Sequence, residues 1–219
     1  MSIWIKICGN TTLDDALLAA NAGADALGFV FADSSRHVTP EQVAAITPHL
    51  PTAIEKIGVF VEAPVEDIVS TVRACGLTGV QLHSVTLADL PARLRAELPS
   101  NLRILRVVHF GPGALQYAHA YFADPNVNAV LVDSRTTIAV GGTGIPFDWA
   151  HASETLFQNA KERKLIAAGG LTPDNVAEAI HTLRPWGVDV VSGVESSPGR
   201  KDPAKVKRFL ANARSAVPF

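Results

Sequence analysis

The feature that most constrains the fold of this chain is a regular alternation of short apolar segments with longer amphipathic ones. Eight segments of five to eight residues, rich in β-branched and other apolar side chains, have the character of buried strands. These predicted strands cover residues 3–7, 26–31, 55–61, 79–83, 103–110, 128–133, 165–169 and 187–192. A stretch with helical spacing of its apolar residues follows each one. The predicted helices cover residues 11–23, 40–50, 65–76, 85–98, 115–122, 147–163, 172–185 and 202–216.

This alternation predicts a parallel sheet closed into a (β/α)8 TIM barrel. Short, continuously apolar strands are typical of parallel sheets that helices cover on the outside. Eight such units in 219 residues match the usual size of this barrel. An open doubly wound sheet is the alternative, but the glycine fingerprint G-x-G-x-x-G is missing after the first strand. We find no linker or low-complexity segment, and predict a single domain over residues 1–219.

Composition narrows the class of protein. The apolar fraction is 47%, the charged fraction 18% and the net charge −2, which predicts a soluble globular enzyme. Neither nucleic acid nor a membrane surface is expected as a partner. The first residues lack the pattern of a signal peptide, and no apolar run approaches 18 residues. We therefore expect a cytoplasmic protein whose two cysteines are free thiols.

Two proton-transfer groups follow predicted strands, at the end of the barrel where active sites lie. Cys8, in KICGN, comes after the first strand, where we expect it to meet solvent or a ligand, and Asp133 ends the sixth. A thiolate can take a proton from carbon and a carboxylic acid can give one to oxygen, so such a pair can isomerise a sugar without metal or cofactor. Taken singly, each has a plainer interpretation. Cys8 alone is more often a small buried side chain in the core, and Asp133 alone is more often a residue that caps a loop.

The thiol needs a favourable electrostatic field to lose its proton near neutral pH. Lys6 lies two residues before Cys8. Because strand alternation points Lys6 away from Ile7, we do not expect its ammonium to supply that field directly. The amino end of the first helix is the expected source.

Glycine-rich loops after the last two strands predict a phosphate site. Gly169 and Gly170 follow the seventh strand and Gly193 the eighth, the two loops that often bind phosphate in this barrel. Such glycines let backbone N–H groups come close to an anion. Plain turns are the alternative. A further glycine-rich loop, residues 134–146, is either a mobile cover for the ligand or a simple flexible connection.

Other polar residues at strand ends leave two interpretations open. Arg36, after the second strand, can grip a carboxylate with two parallel hydrogen bonds, or can be a solvated surface arginine. His83 and His109 end the fourth and fifth strands and can be acid–base groups or structural histidines. The chain has no C-x-x-C or H-E-x-x-H motif, and we predict no metal ion and no cofactor.

A family resemblance rests on a series of motifs in a fixed order along nearly the whole chain, from Ile5 to about Phe209. These motifs are KICGN, DDALLAANAGADALGFVF, SSRHVTPEQ, GVQLH, VLVDS, GGTGIPFDW, AAGGLTPDNV and SGVESSPGRKDP. The sequence resembles phosphoribosylanthranilate isomerase. It departs from the family in two places: Ser84 stands where glycine is frequent after QLH, and Val191 where serine is frequent. We expect Val191 to face the core.

The resemblance implies an eight-fold barrel of the tryptophan pathway that rearranges N-(5-phosphoribosyl)anthranilate to 1-(2-carboxyphenylamino)-1-deoxyribulose 5-phosphate. Asp133 would be the general acid that opens the furanose ring, and Cys8 the general base that removes the proton from C2. Arg36 would hold the anthranilate carboxylate. The other implied substrate-binding residues, chiefly phosphate contacts, are His83, Gly142, Gly144, Gly169, Gly170, Ser192 and Gly193. A small phosphosugar is thus the expected partner, and a monomer or homodimer the expected assembly.

Alternative functions for this sequence make different demands on the same positions. A pentose-phosphate epimerase would need metal ligands at several strand ends, where only His83 and Asp133 are candidates. The histidine-pathway isomerase of similar chemistry would be expected to have an aspartate at the end of the first strand, which here carries Cys8. A barrel that binds phosphorylated ligands or a protein partner without catalysis would keep the glycine loops and tolerate loss of both proton-transfer groups. Cys8 could also be a redox thiol, but no second cysteine lies near it in sequence to resolve an oxidised form.

Overall fold

Eight parallel strands close into a barrel in this computed structural model, which describes residues 2–83, 88–133, 148–158 and 163–216. The strands pair in chain order, and the first closes against the eighth. Their bounds are β1 Trp4–Ile7, β2 Ala26–Val30, β3 Glu55–Val61, β4 Gly79–His83, β5 Arg103–His109, β6 Ala129–Asp133, β7 Leu165–Ala168 and β8 Gly187–Val190. The predicted TIM barrel is confirmed, with strand ends within two residues of the expected ones.

A helix follows each strand and covers the outside of the barrel. The helices are α1 Leu13–Asn21, α2 Pro40–Ile46, α3 Val65–Cys75, α4 Leu90–Glu97, α5 Ala114–Ala123, α6 Trp149–Ala152, α7 Val176–Leu183 and α8 Pro203–Ser215. Side-chain caps define several beginnings: Thr12 accepts from the backbone of Asp15, and Thr39 forms a capping box with Gln42. None of the helices in the described ranges is both long and apolar enough to cross a bilayer.

The sixth helix is shorter than predicted. After α6 the chain widens into a π-helical turn, Ser153–Phe157, and residues 159–162 lie outside the described part of the chain. The Thr155 hydroxyl donates to the carbonyl of His151 at 2.7 Å, a local bond that competes with regular helical pairing. The apolar spacing of this segment alone gave no sign of that change.

The strands divide their side chains between two regions, as a period of two requires. The outward side chains, such as Ile5, Ile7 and Phe29, join the large apolar layer under the helices. The inward ones fill the barrel with a second apolar cluster, formed by Trp4, Ala26, Ile57, Leu105, Val107, Ala129, Leu131, Ile166 and Ala168. Lys6, Gln81 and Asp189 are buried and polar on three inward-facing strand positions. These three side chains form a buried polar cluster between the apolar layers of the barrel interior.

A short hairpin follows β8 and was not predicted. Its strands, β9 Glu195–Ser197 and β10 Arg200–Lys201, pair antiparallel around a turn in which Gly199 has φ 78°. Strands of three and two residues are too short to show a periodic pattern. The hairpin brings Lys201 onto the tip of β1, where its Nζ donates to the Cys8 carbonyl.

Candidate active site

Cys8 lies immediately after β1, on the inward face that Lys6 also occupies. Its backbone N–H donates to the Val190 carbonyl at 2.9 Å, and its own carbonyl accepts from the Lys201 ammonium at 2.6 Å. Its sulfur lies so close to Gly28 that a Cβ at that position would overlap it. Only 3% of Cys8 is exposed, so solvent does not surround it, and the expected contact with a ligand stays a prediction. Its contacts come from β2, from β8 and from the hairpin.

A buried ammonium lies beneath the thiol. Lys6 Nζ donates to Asp189 Oδ1 and to Gln81 Oε1, each at 2.9 Å. The expectation that Lys6 does not act on Cys8 is wrong, because residues two apart on a strand project from the same face. Burial works to lower the pKa of Lys6, but the charge of Asp189 and the contact with Cys8 outweigh it, so its pKa is raised and it stays charged.

Opposing effects act on the Cys8 thiol. Burial raises its pKa most, and the negative charge of Asp189 adds to this. The ammonium groups of Lys6 and Lys201 lower it, Lys6 through both its charge and a hydrogen bond. The net pKa is raised, so the resting group is a thiol with two cations next to the position where a thiolate would form.

Asp133 ends β6 on the inward face, in line with Leu131 below it. It is 6% exposed, and its carbonyl accepts from the Phe110 backbone at 2.8 Å. The closed barrel places β7 and β8 between β6 and β1. Asp133 and Cys8 therefore reach the same carboxyl-end mouth of the barrel from separate parts of its wall.

Arg36 is held by an internal carboxylate. Its Nε donates to Glu195 Oε1 at 3.2 Å and its Nη2 to Oε2 at 2.7 Å, while Nη1 donates to Ser35 Oγ at 3.1 Å. The Arg36 side chain is 11% exposed, so it is not a solvated surface arginine. Sequence reasoning missed Glu195 altogether.

His83 contacts the buried polar cluster of Lys6, Gln81 and Asp189 through Gln81. Its Nε2 lies 2.9 Å from Gln81 Nε2, and its ring centroid lies 6.0 Å from that of His109. An ammonium can only donate, so the Gln81 carbonyl faces Lys6 and its amide N–H₂ faces His83. His83 Nε2 is therefore the acceptor, which places the proton of a neutral imidazole on Nδ1.

Several of the predicted phosphate residues line one cavity of about 360 Å³. Its walls are Gly170, Leu171, Thr172, Pro173, Asp174, Ser192, Gly193, Lys205 and Arg208. Gly169 comes just before this cavity in the chain, and it and Gly170 have φ of 83° and 66°, which a residue with a side chain rarely adopts. The two cations come from α8 and were not predicted, although GRKDPAKVKR shows the basic cluster. Gly142, Gly144 and Ser84 lie outside the described residues, as does the loop 134–146.

Comparison with known protein families identifies the family to which this barrel belongs. The family model of N-(5'-phosphoribosyl)anthranilate (PRA) isomerase matches residues 5–212. The chain belongs to this family. It is therefore an isomerase of tryptophan biosynthesis.

Relatives of this isomerase align over almost their full length. The N-(5'-phosphoribosyl)anthranilate isomerase of Geobacter sp. strain M21 is 44% identical over 211 residues, covering 96% of this chain and 97% of the relative. The crystal structure of the isomerase from Thermotoga maritima superposes with a TM-score of 0.86 at 35% identity, covering 97% and 99%. Another solved isomerase, with a TM-score of 0.80 at 33% identity and the same coverage, is a complex with reduced 1-(o-carboxyphenylamino)-1-deoxyribulose 5-phosphate.

Replacing Gly193 with alanine should destabilise this isomerase by about 1–3 kcal/mol. A Cβ at Gly193 would collide with the Leu171 carbonyl oxygen, and would lie 2.9 Å from its carbon and 3.1 Å from Thr172 Cα. The loops after β7 and β8 would have to separate, which should also weaken binding of inorganic phosphate. Urea unfolding and phosphate titration measure both effects. Ser192→Ala, which adds no atom to the same turn, is the control for the unfolding experiment alone. Equal urea midpoints for Gly193→Ala and the wild type would contradict this reasoning.

Proposed function

We propose that this isomerase converts N-(5-phosphoribosyl)anthranilate to 1-(2-carboxyphenylamino)-1-deoxyribulose 5-phosphate by an Amadori rearrangement, with Cys8 as general base and Asp133 as general acid. The observation that carries the proposal is the inward position of both residues at the carboxyl ends of β1 and β6, in a barrel of this family. The reaction is an isomerisation, so atoms balance without an oxidant or a second substrate.

The first step opens the sugar ring. Protonated Asp133 gives its proton to the ring oxygen as the bond from that oxygen to C1 breaks. The anthranilate nitrogen supplies the electron pair that forms a C1–N double bond, and a protonated Schiff base results. This cation is an electron sink next to C2, which makes the C2 proton more acidic.

The second step moves that proton. Cys8 first loses its thiol proton to solvent. The thiolate removes the C2 proton, and the electrons of the C–H bond shift toward the Schiff base to give an enaminol. The enaminol gains a proton at C1 and loses one from its C2 hydroxyl to become the ketone product, and proton exchange with water returns Asp133 to the acid and takes the transferred proton from Cys8. The raised pKa of Cys8, which comes chiefly from burial, makes its thiolate a stronger base once formed. Lys6 and Lys201 stabilise that thiolate, and the cationic intermediate adds a third positive charge next to it.

Two anion-binding regions suit the two ends of the substrate. Arg36 has donors available for the anthranilate carboxylate, and the cavity between the β7 and β8 loops, with Lys205 and Arg208 in its wall, suits the phosphate. The ligand of the solved relative carries the same two groups, a carboxyphenyl and a 5-phosphate. His83, Gly169, Gly170, Ser192 and Gly193 are proposed as contacts of the bound substrate, together with Gly142 and Gly144.

The remaining expectations stay predictions. The cytoplasm is the proposed location, because tryptophan biosynthesis draws on soluble phosphosugars, and the assembly is proposed to be a monomer or homodimer. A free small molecule is the proposed partner. Cys8 at the end of β1 continues to favour this reaction over that of the histidine-pathway isomerase, for which an aspartate is expected there.

The test is direct turnover of the purified chain. Substrate formed from ribose 5-phosphate and anthranilate is followed by the loss of its fluorescence, and carbon NMR identifies the product by a ketone signal, because substrate and product have equal mass. The histidine-pathway aminosugar is assayed in parallel. We expect rapid conversion of the anthranilate substrate; no conversion, or conversion of the histidine-pathway compound alone, would refute the proposal.

A further inference from the structure

We infer that Glu195 is a positioning residue of this active site: its carboxylate holds Arg36 so that a second edge of the guanidinium is presented to the substrate carboxylate. The same carboxylate holds Lys201 on the tip of β1 that carries Cys8. The inference rests on the proposed function, since it assigns Arg36 to the anthranilate carboxylate. It adds a residue that contacts neither the sugar nor the reacting atoms.

Glu195 has four hydrogen-bond donors around one carboxylate. Oε1 accepts from Arg36 Nε, Lys201 Nζ and the Gly199 backbone, each at 3.2 Å. Oε2 accepts from Arg36 Nη2 at 2.7 Å. The Glu195 side chain is 4% exposed, and a carboxylate buried this far is stable only when it is well paired. The arrangement is thus a built site for one carboxylate and not a chance surface contact.

The guanidinium retains capacity for a second carboxylate. Of its five N–H donors, two point to Glu195 and one to Ser35, and the other two have no partner among the residues that the structure describes. Glu195 takes the side edge, formed by Nε and Nη2. The end edge, formed by Nη1 and Nη2, can make two parallel bonds with another carboxylate. Because Glu195 fixes the plane of the guanidinium, it also fixes the direction of that edge.

The charges favour an anionic substrate. Burial lowers the pKa of Lys201, and the negative charges of Glu195 and Cys8 oppose this. With Lys201 protonated, Arg36 and Lys201 supply two positive charges against the one negative charge of Glu195, so the group has a net positive charge. Burial works to raise the pKa of Glu195, but hydrogen bonding to Arg36 and the charge of Lys201 outweigh it and its pKa is lowered. Glu195 therefore stays ionised at neutral pH and keeps both cations in place.

The link to the catalytic strand runs through the hairpin. Lys201 lies opposite Glu195 in the β9–β10 register, and its Nζ donates to the Cys8 carbonyl at 2.6 Å and to the Val191 carbonyl at 3.4 Å. Glu195 is 159 residues from Arg36 in sequence and 6 from Lys201. One carboxylate thus couples the group that binds the anthranilate end to the strand that presents the thiol.

The experiment compares two substrates that differ only in the carboxylate. N-(5-Phosphoribosyl)anthranilate and N-(5-phosphoribosyl)aniline are each formed from ribose 5-phosphate and the amine, and both are assayed with the wild type, Glu195→Gln and Arg36→Met. We expect Glu195→Gln to raise KM for the anthranilate substrate by about 10- to 100-fold, with a smaller effect on kcat. For the aniline substrate, Glu195→Gln should lower kcat/KM relative to the wild type only by the smaller factor seen in kcat, which acts through Lys201 and the tip of β1.

A double-mutant cycle and a matched control complete the design. If Glu195 acts through Arg36, adding Glu195→Gln to Arg36→Met should change KM little. Glu178→Gln makes the same charge change on the exposed face of α7 and should have no effect. If Glu195→Gln does not fold, Glu195→Asp replaces it in the comparison of the two substrates, because it keeps the charge but shortens the side chain.

The outcomes separate this inference from the proposed function. Loss of kcat/KM by the same factor for both substrates, additive effects in the cycle, or an unchanged KM would each overturn the role of Glu195 while the wild type stays active. A wild type that does not convert the anthranilate substrate would overturn the proposed function and this inference with it.

Discussion

Cys8→Ser and Asp133→Asn should each lower kcat for N-(5-phosphoribosyl)anthranilate by about 10²- to 10⁴-fold, the usual contribution of a positioned acid or base. A serine hydroxyl loses its proton far less readily than a thiol, and an asparagine amide cannot protonate the ring oxygen. KM should change much less, because neither substitution touches Arg36 or the cavity between the β7 and β8 loops. Steady-state fluorescence assays give both constants.

Cys75→Ser is the matched control for the thiol. Cys75 is buried at the end of α3, and its sulfur donates to the Pro40 carbonyl at 3.3 Å, a bond that a serine hydroxyl can replace. Activity should therefore stay close to that of the wild type. If Cys8→Ser or Asp133→Asn turned over substrate as fast as the wild type, the assigned mechanism would be wrong, and a barrel without catalysis at these residues would be favoured.

Lys6→Met should lower the free energy of unfolding by about 3–5 kcal/mol, because it leaves Asp189 buried without its counter-ion. Replacing both partners, in Lys6→Met/Asp189→Leu, removes the unpaired charge and should recover much of that loss. Urea unfolding measures the three chains. The exposed pair Arg208–Asp174 is the control, since its side chains are 55% and 78% exposed and Arg208→Met should cost about 1 kcal/mol or less. Equal costs for Lys6→Met and Arg208→Met would contradict the role of burial.

The same variants should change the pKa of Cys8 by different amounts. Burial already raises it, and Lys6→Met removes the cation that lowers it, so the pKa should rise further. Removing Asp189 as well takes away a charge that raises the pKa, so the double variant should lie below Lys6→Met. Alkylation rates measured against pH in a Cys75→Ser background report Cys8 alone. A pKa that does not change in Lys6→Met would show that the ammonium does not act on the sulfur.

The barrel and the positions of several site residues could be predicted from local sequence patterns. The alternation of strand-like and helical segments predicted the barrel, and the usual location of active sites in this barrel singled out Cys8 and Asp133 at strand ends. The period of two along a strand shows which side chains share a face. The same rule also puts Lys6 on the face of Cys8, so that error was one of interpretation and not of missing information. The glycines after β7 and β8 were found from their position behind predicted strands. Gly169 and Gly170 have positive φ, which strongly favours glycine, whereas Gly193 leaves no room for a Cβ.

What the sequence by itself determined is therefore which residues occupy the barrel mouth; the tertiary structure decided what each of them touches. The pairing of Arg36 with Glu195 joins residues 159 apart, and the pairing of Lys6 with Asp189 joins residues 183 apart. The hydrogen bond from Lys201 to the Cys8 carbonyl depends on a hairpin too short to be seen in a periodic pattern. Secondary structure follows from interactions between near neighbours in the chain, whereas ion pairs and desolvation depend on distances that exist only after the barrel has closed.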